Sequence, residues 1–152
     1  DLVGVDGIVG LQEPRGDAER WAALAPLAAP GFALLSGDDP TFVEAMRAGA
    51  VGVISVASNV VPASLAGIAA AARDGAFDAA AVQDAGLRPL YDFLGCAPNP
   101  IPLKALLKAQ GFGADLRLPL LPLEAPHTAS LAAMLSLVER AEAEASAASR
   151  AA

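Results

Sequence analysis

Three short apolar runs, each followed by a helical stretch, constrain this chain more than any other feature. The runs are "GIVGLQ" (7–12), "GFALLSGDD" (31–39) and "VGVISVASN" (51–59). The first is followed by "DAERWAALAPLA" (17–28), with Asp17 as N-cap and Pro26 as its end or kink. The second is followed by "PTFVEAMRAGA" (40–50), with Pro40 at the first helical position and a stop near Gly49. The third is followed by "PASLAGIAAAARDG" (62–75), stopped at Gly75. Strand–helix alternation predicts parallel strands joined by crossover helices. The nearly continuous apolar sequence of the strands predicts cover on both faces.

After Gly75 the strand signals stop. Residues 76–95, 98–111 and 127–150 read as three helices, and the Pro-rich loop "LRLPLLPLEAP" joins the last two. Leu131, Met134, Leu135 and Val138 recur at helical spacing, a core or interface stripe and not a cofactor box. The tail "AEAEASAASRAA" is expected to fray. The layout is α/β, in two parts: residues 1–75 with the strands and residues 76–152 as a helical extension. A complete (β/α)8 barrel takes roughly 250 residues. A chain of 152 residues cannot supply eight strands, so it forms part of a barrel or a small three-stranded α/β domain.

Composition removes several function classes. The segment from Ala48 to Ala72 carries no charge, but Ser55, Ser58, Asn59, Pro62 and Ser64 interrupt it. It splits into a β-rich and an Ala-rich half, so no membrane span is expected. With a net charge of −7 and few aromatics, a nucleic-acid partner is not expected either. Cys96 is the one cysteine, which excludes an intrachain disulfide and a thiolate metal cluster and suits a reducing cytoplasm. His127, the one histidine, reads as a surface loop residue beside a helix N-cap. The chain opens on Asp1 and shows no signal-peptide pattern, so it is expected to be processed or a piece of something longer.

The first strand ends in the stretch "GLQEPRGD", Gly10 to Asp17, with Gln12 at the polar strand-end position where chemistry sits in folds of this kind. Three other stretches, "LLSGDDPTFVEAMRAGAVGVISVASNVVP", "APNPIPLKALLKAQG" and "LRLPLLPL", together resemble the C-terminal half of a member of the dihydrodipicolinate synthase/N-acetylneuraminate lyase family of class I aldolases. The similarity runs from about Gly7 to about residue 138, and the family's first five strands have no counterpart. The resemblance implies a partial TIM (β/α)8 barrel, with the three runs as strands six to eight, followed by a C-terminal three-helix extension.

The resemblance also implies a mechanism. In the family a lysine at the end of strand six attacks the ketone of pyruvate. The imine then feeds an enamine that attacks an aldehyde, aspartate semialdehyde in the synthase of lysine biosynthesis, with no cofactor and no metal. The family's strand-six pattern is G-(I/L/V)-K-(E/D)-x-(T/S)-G-(D/N). Here Glu13, Gly16 and Asp17 fall in place, and the lysine position holds Gln12. An imine needs a neutral primary amine, and an amide nitrogen is not one. Lys104 and Lys108 are the two lysines, and Lys104 is read as pairing with a backbone carbonyl or carboxylate in the helical part. Gly37 and Ile54 match positions that line the pyruvate pocket, Ile54 through its backbone carbonyl. Asp38 and Asp39 are read as caps for the next helix, and Arg15 as solvated.

Three readings follow. The chain is part of a dihydrodipicolinate synthase-like lyase, inactive alone; or a non-catalytic relative, a pseudoenzyme or assembly partner; or a stand-alone α/β domain for ligand binding or oligomerisation. A three-strand fragment exposes two strand edges, which predicts association with a complementary half-barrel or a second copy. A pyruvate-like small molecule is the expected ligand once the barrel is completed.

Overall fold

The computed structural model describes residues 3–113 and 115–151. Asp1 and Ala152, the outer bounds of the two expected parts, lie outside the described residues. The chain forms two compact units. One takes in the chain up to Ser55 together with Ile68–Val82; the other takes in Val56–Gly67 and the chain from Gln83 onward.

The first unit holds a three-stranded parallel sheet in the order β1 (Gly10–Glu13), β2 (Ala33–Ser36), β3 (Gly52–Val53). Gln12 pairs in register with Leu35, and Leu35 with Gly52. Glu13, Ser36 and Val53 form the next row. On β2, Leu34 and Ser36 are buried, while Ala33 and Leu35 are only half-buried and Gln12 on β1 is exposed. One face is therefore covered and the other is half open, where apolar continuity predicted cover on both. β3 is far shorter than the 51–59 run because its partner strand has ended: Ile54 N still donates to Ser36 O at 2.8 Å, and no ladder exists beyond it.

Helix α1 (Ala18–Leu24) starts as its sequence demands, with the Asp17 side chain accepting from Arg20 N at 2.9 Å. It ends before Pro26 and passes into a 3-10 turn. Pro40 likewise sits in a 3-10 turn that leads into α2 (Phe42–Arg47). Phe42, Val43, Ala45 and Met46 of α2 are buried, and α2 packs on β2 and β3. Helix α3 (Pro62–Arg73) continues a stripe of buried residues, Val61, Leu65, Ile68 and Ala72, at helical spacing. It stops at Gly75, whose φ of 81° lets Ala76 N reach back to Ala71 O at 2.9 Å.

The helix expected over 76–95 is two: α4 (Phe77–Gly86) and α5 (Arg88–Leu94). Pro89 has no N–H to give to a carbonyl one turn back, and Gly86 is a weak helix former, so the break falls at Leu87. The buried Tyr91 hydroxyl donates to Asp84 Oδ1 at 2.8 Å across that break. In the first unit, Arg47 lies over the Phe77 ring, 4.6 Å from its centroid, which ties α2 to the start of α4.

Helix α6 (Ile101–Ala109) buries Pro102, Leu103 and Leu106. The last predicted helix is also two, α7 (Ala125–Thr128) and α8 (Leu131–Ala151). The Thr128 hydroxyl donates to Ala125 O at 2.7 Å and competes with helical pairing at that junction. The apolar stripe of α8 lies as expected, with Val138 buried and Leu131, Met134 and Leu135 half-buried. Helix α8 packs against α5 and α6. Its tail is helical through Ala151. Among the described residues, no helix is long and apolar enough to cross a membrane.

The start of α3 is capped from a distance. Glu142 of α8 accepts from Ala63 N at 3.0 Å, Ser64 N at 2.9 Å and Ser64 Oγ at 2.9 Å. A carboxylate there satisfies N–H groups that no helical carbonyl reaches and sits well in the helix dipole. Replacing Glu142 by Ala is expected to lower stability by about 1–2 kcal/mol, read as a lower urea midpoint. The outer edges of β1 and β3 have no partner strand among the described residues. Sedimentation velocity is expected to show association of the isolated chain; a clean monomer with cooperative melting is the opposite result.

Candidate functional site

The three parallel strands end side by side, and the ladder continues one residue past β2 and β3. Gly37 N donates to Glu13 O at 2.8 Å, and Ile54 N to Ser36 O at 2.8 Å. The residues that follow β2 and β3, Gly37 and Ile54, are therefore set in place by backbone pairing, one strand and two strands from β1. Gln12 and Gly37 come together directly. A Cβ on Gly37 would collide with Gln12 Nε2, and would lie 3.1 Å from Pro14 Cα. The absent side chain of Gly37 is the space in which the Gln12 amide lies. Ile54 is 52% exposed at the neighbouring strand end.

Below this row an ion pair with a buried carboxylate and a half-exposed guanidinium ties the end of β1 to α1. Glu13 follows Gln12 and so points to the opposite face. It is 4% exposed. Its carboxylate accepts from Arg20 Nε of α1 and from Arg15 N at 2.9 Å. The hydrogen bond from Arg20 is the main reason its pKa is lowered, against the opposing effect of burial. The signal was present as an acid at the strand end and an arginine in the first turn of the next helix. Arg15 is exposed, as expected, and pairs with Asp17 at 2.9 Å. Asp17 in turn has a lowered pKa, chiefly through the backbone N–H of Arg20.

The loop after β2 closes on itself. Ser36 Oγ accepts from Asp38 N at 3.2 Å. The Asp38 carboxylate takes the Thr41 hydroxyl at 2.5 Å and makes no side-chain cap to the following helical turn, contrary to the capping role read from the sequence. Asp39 is buried. Gly16 lies against this pair: a Cβ there would clash with Thr41 Oγ1 and approach Asp38 Oδ2 to 2.8 Å. Gly16 is thus a packing requirement, invisible to local pattern alone because its neighbour is distant in sequence.

The other candidates lie elsewhere. Lys104 Nζ donates to the backbone carbonyl of Asp115 at 3.3 Å, the pairing expected of it. His127 is half-buried in the short helix α7 and not in a loop, because the Pro126 turn is compatible with a helix start. Cys96 is a free thiol whose pKa is raised by burial. Among the described residues, no group of three or more His, Cys, Asp or Glu is placed to hold a metal ion. At the strand ends the available chemistry is that of an amide, which donates to and accepts from a ligand oxygen but does not attack it.

The sequence model of the Dihydrodipicolinate synthetase family matches residues 1–138. A 4-hydroxy-tetrahydrodipicolinate synthase from Xanthomonas axonopodis pv. citri is 52% identical over 127 residues, 84% of this chain and 42% of that protein. One from Stenotrophomonas maltophilia is 48% identical over 130 residues, 86% of this chain and 44% of that protein. Among solved structures, the 4-hydroxy-tetrahydrodipicolinate synthase of Methylacidiphilum fumariolicum SolV matches with a TM-score of 0.82 at 34% identity, covering 91% of this chain and 47% of that one. The chloride-inhibited dihydrodipicolinate synthase of Acinetobacter baumannii, complexed with pyruvate, matches with a TM-score of 0.84 at 33% identity, covering 91% and 48%. The chain spans less than half the length of these relatives.

The Glu13–Arg20 pair gives a pH-dependent prediction. Because the pKa of Glu13 is lowered from 4.5 by folding, its contribution is present above that value and is lost as pH falls through the folded pKa. Glu13→Gln is expected to cost about 2 kcal/mol at pH near 7. In urea titrations the gap between wild type and variant should narrow as the pH drops below 4.5.

Proposed function

This chain belongs to the dihydrodipicolinate synthetase family, and from that premise we propose that it is the C-terminal half of a pyruvate-handling (β/α)8 barrel that has lost its imine-forming group. In this reading β1, β2 and β3 are barrel strands six to eight within residues 1–75, and residues 76–152 are the helical extension. The half-open face bearing Gln12 and Leu35 is the barrel interior, and the outer edges of β1 and β3 are the seams for a complementary half or a second copy. The supporting features are the parallel register, the incomplete cover of that face and the unpartnered edges.

One observation carries the functional part: the amide of Gln12 occupies the space over Gly37 at the strand end where the family places its lysine. Schiff-base formation needs a nitrogen lone pair free to add to a ketone. In Gln12 that pair is delocalised into the carbonyl. No lysine precedes Lys104 in the sequence. The chain therefore holds a pyruvate-like 2-oxo acid by hydrogen bonds at most, donated by the Gln12 amide nitrogen to its acceptor oxygens, with Gly37 as floor and the Ile54 backbone beside it. It needs no cofactor. The family's condensation of pyruvate with aspartate semialdehyde, in cytoplasmic lysine biosynthesis, is closed to this half alone. The substitution at position 12 favours a non-catalytic relative or assembly partner over an enzyme fragment that merely awaits its other half.

Incubation with pyruvate and borohydride separates these readings. The mass of this chain is expected to stay unchanged, and a trapped pyruvyl adduct on any lysine overturns the proposal. Gln12→Lys, mixed with the N-terminal half of the 52%-identical Xanthomonas synthase, is expected to gain the adduct. If it does not, more than the nucleophile differs.

A further inference from the structure

The helical unit holds a half-open cavity of about 360 Å³, lined by none of the strand-end residues. That size falls within the range of small-ligand pockets. Its wall is mostly apolar: Ile101 and Ala105 from α6, Leu116 and Leu123 from the Pro-rich loop, and Leu131 from α8. Lys104 and Lys108, one helical turn apart on α6, border the same space. Both amines reach the same residue. Lys108 Nζ pairs with the Asp115 carboxylate at 2.5 Å, and Lys104 Nζ donates to the Asp115 backbone carbonyl at 3.3 Å.

Among the lining residues, then, two ammonium groups meet one carboxylate. The cavity wall keeps a surplus positive charge in a chain whose net charge is −7. Lys104 bonds Asp115 only at its neutral backbone carbonyl, and the direct pair with the single carboxylate is made by Lys108. A neutral apolar ligand would gain only burial there. A dicarboxylate would carry a second charge into the apolar wall and lose hydration without a partner. We propose that this cavity binds a small monocarboxylate with an unbranched apolar tail, the carboxylate on Lys104 and Lys108 and the tail between α6, the loop and α8. The site is independent of the proposed barrel function and uses none of its residues.

Titration of the isotope-labelled full chain with octanoate, followed by backbone amide NMR, tests this. Saturable single-site shifts are expected, clustered on residues 101–109 and 115–131. 1-Octanol should bind more weakly than octanoate. The double variant Lys104→Gln/Lys108→Gln should weaken octanoate binding by roughly tenfold and bring it level with octanol. Asp115→Asn removes the competing carboxylate and should tighten octanoate binding. A purely structural role for the Lys108–Asp115 pair predicts the opposite, looser binding as the loop loses its anchor. The proposal fails if the shifts do not saturate or fall elsewhere, if octanol matches octanoate in the wild type, if the double variant binds octanoate unchanged, or if Asp115→Asn fails to tighten it.

Discussion

Parallel pairing of three short strands is the constraint on which the rest of the sheet-bearing unit depends. A parallel strand cannot return through a tight turn, so each junction needs a crossover. The crossovers here contain α1 and α2, and the second packs its apolar face back on the sheet it connects. The same pairing carries the strand ends to one edge. Because Gly37 N bonds to Glu13 O and Ile54 N to Ser36 O, three residues far apart in sequence become neighbours in one row of strand termini. Ladder geometry, and no side-chain attraction among these residues, builds the candidate site.

The elements that could be read in advance were those specified within a few residues. Asp17 caps α1, Gly75 ends α3, and Pro26 stops α1, each through a property of its own backbone or side chain. The elements that could not be read depend on distant partners. The length of β3 is set by where β2 ends. The start of α3 is completed by Glu142, 78 positions from Ser64. The breaks at Leu87 and near Ser130 did have local causes, in Pro89 and Thr128, but apolar periodicity ran straight through both and concealed them. At the site, the motif placed Gln12 and Gly37 in one loop cluster. The steric dependence of one on the other needed three dimensions, as did the clash that excludes a side chain at Gly16.

Asp38 shows how a locally sound inference can be displaced. An aspartate one or two residues before a helical proline is a natural cap. In the structure a hydroxyl three residues on offers a stronger local partner, and the Asp38–Thr41 bond forms instead. The loop is then held by side chains and by Ser36 beneath it, which leaves the Gly16 backbone room to approach. The loop after β2 is thus held by Ser36, Asp38 and Thr41, apart from the Gln12 side chain.

That separation bears on how a chain can keep this fold while lacking an amine at position 12. The groups that secure the strand end are Glu13, Arg20 and the Asp38–Thr41 pair, and none of them bonds the Gln12 side chain in the interactions described above. Gln12 itself is exposed on the half-open face. A lysine held neutral for attack needs surroundings that lower its pKa, a cost that the fold must offset. A neutral amide in the same place carries none, and it keeps hydrogen-bonding capacity on both its oxygen and its nitrogen. In the proposed reading, exchanging one for the other would remove covalent chemistry and leave the bonds of Glu13, Arg20, Asp38 and Thr41 in place. In that reading the scaffold and the reaction are separable because successive residues of one strand, 12 and 13, point to opposite faces of the sheet.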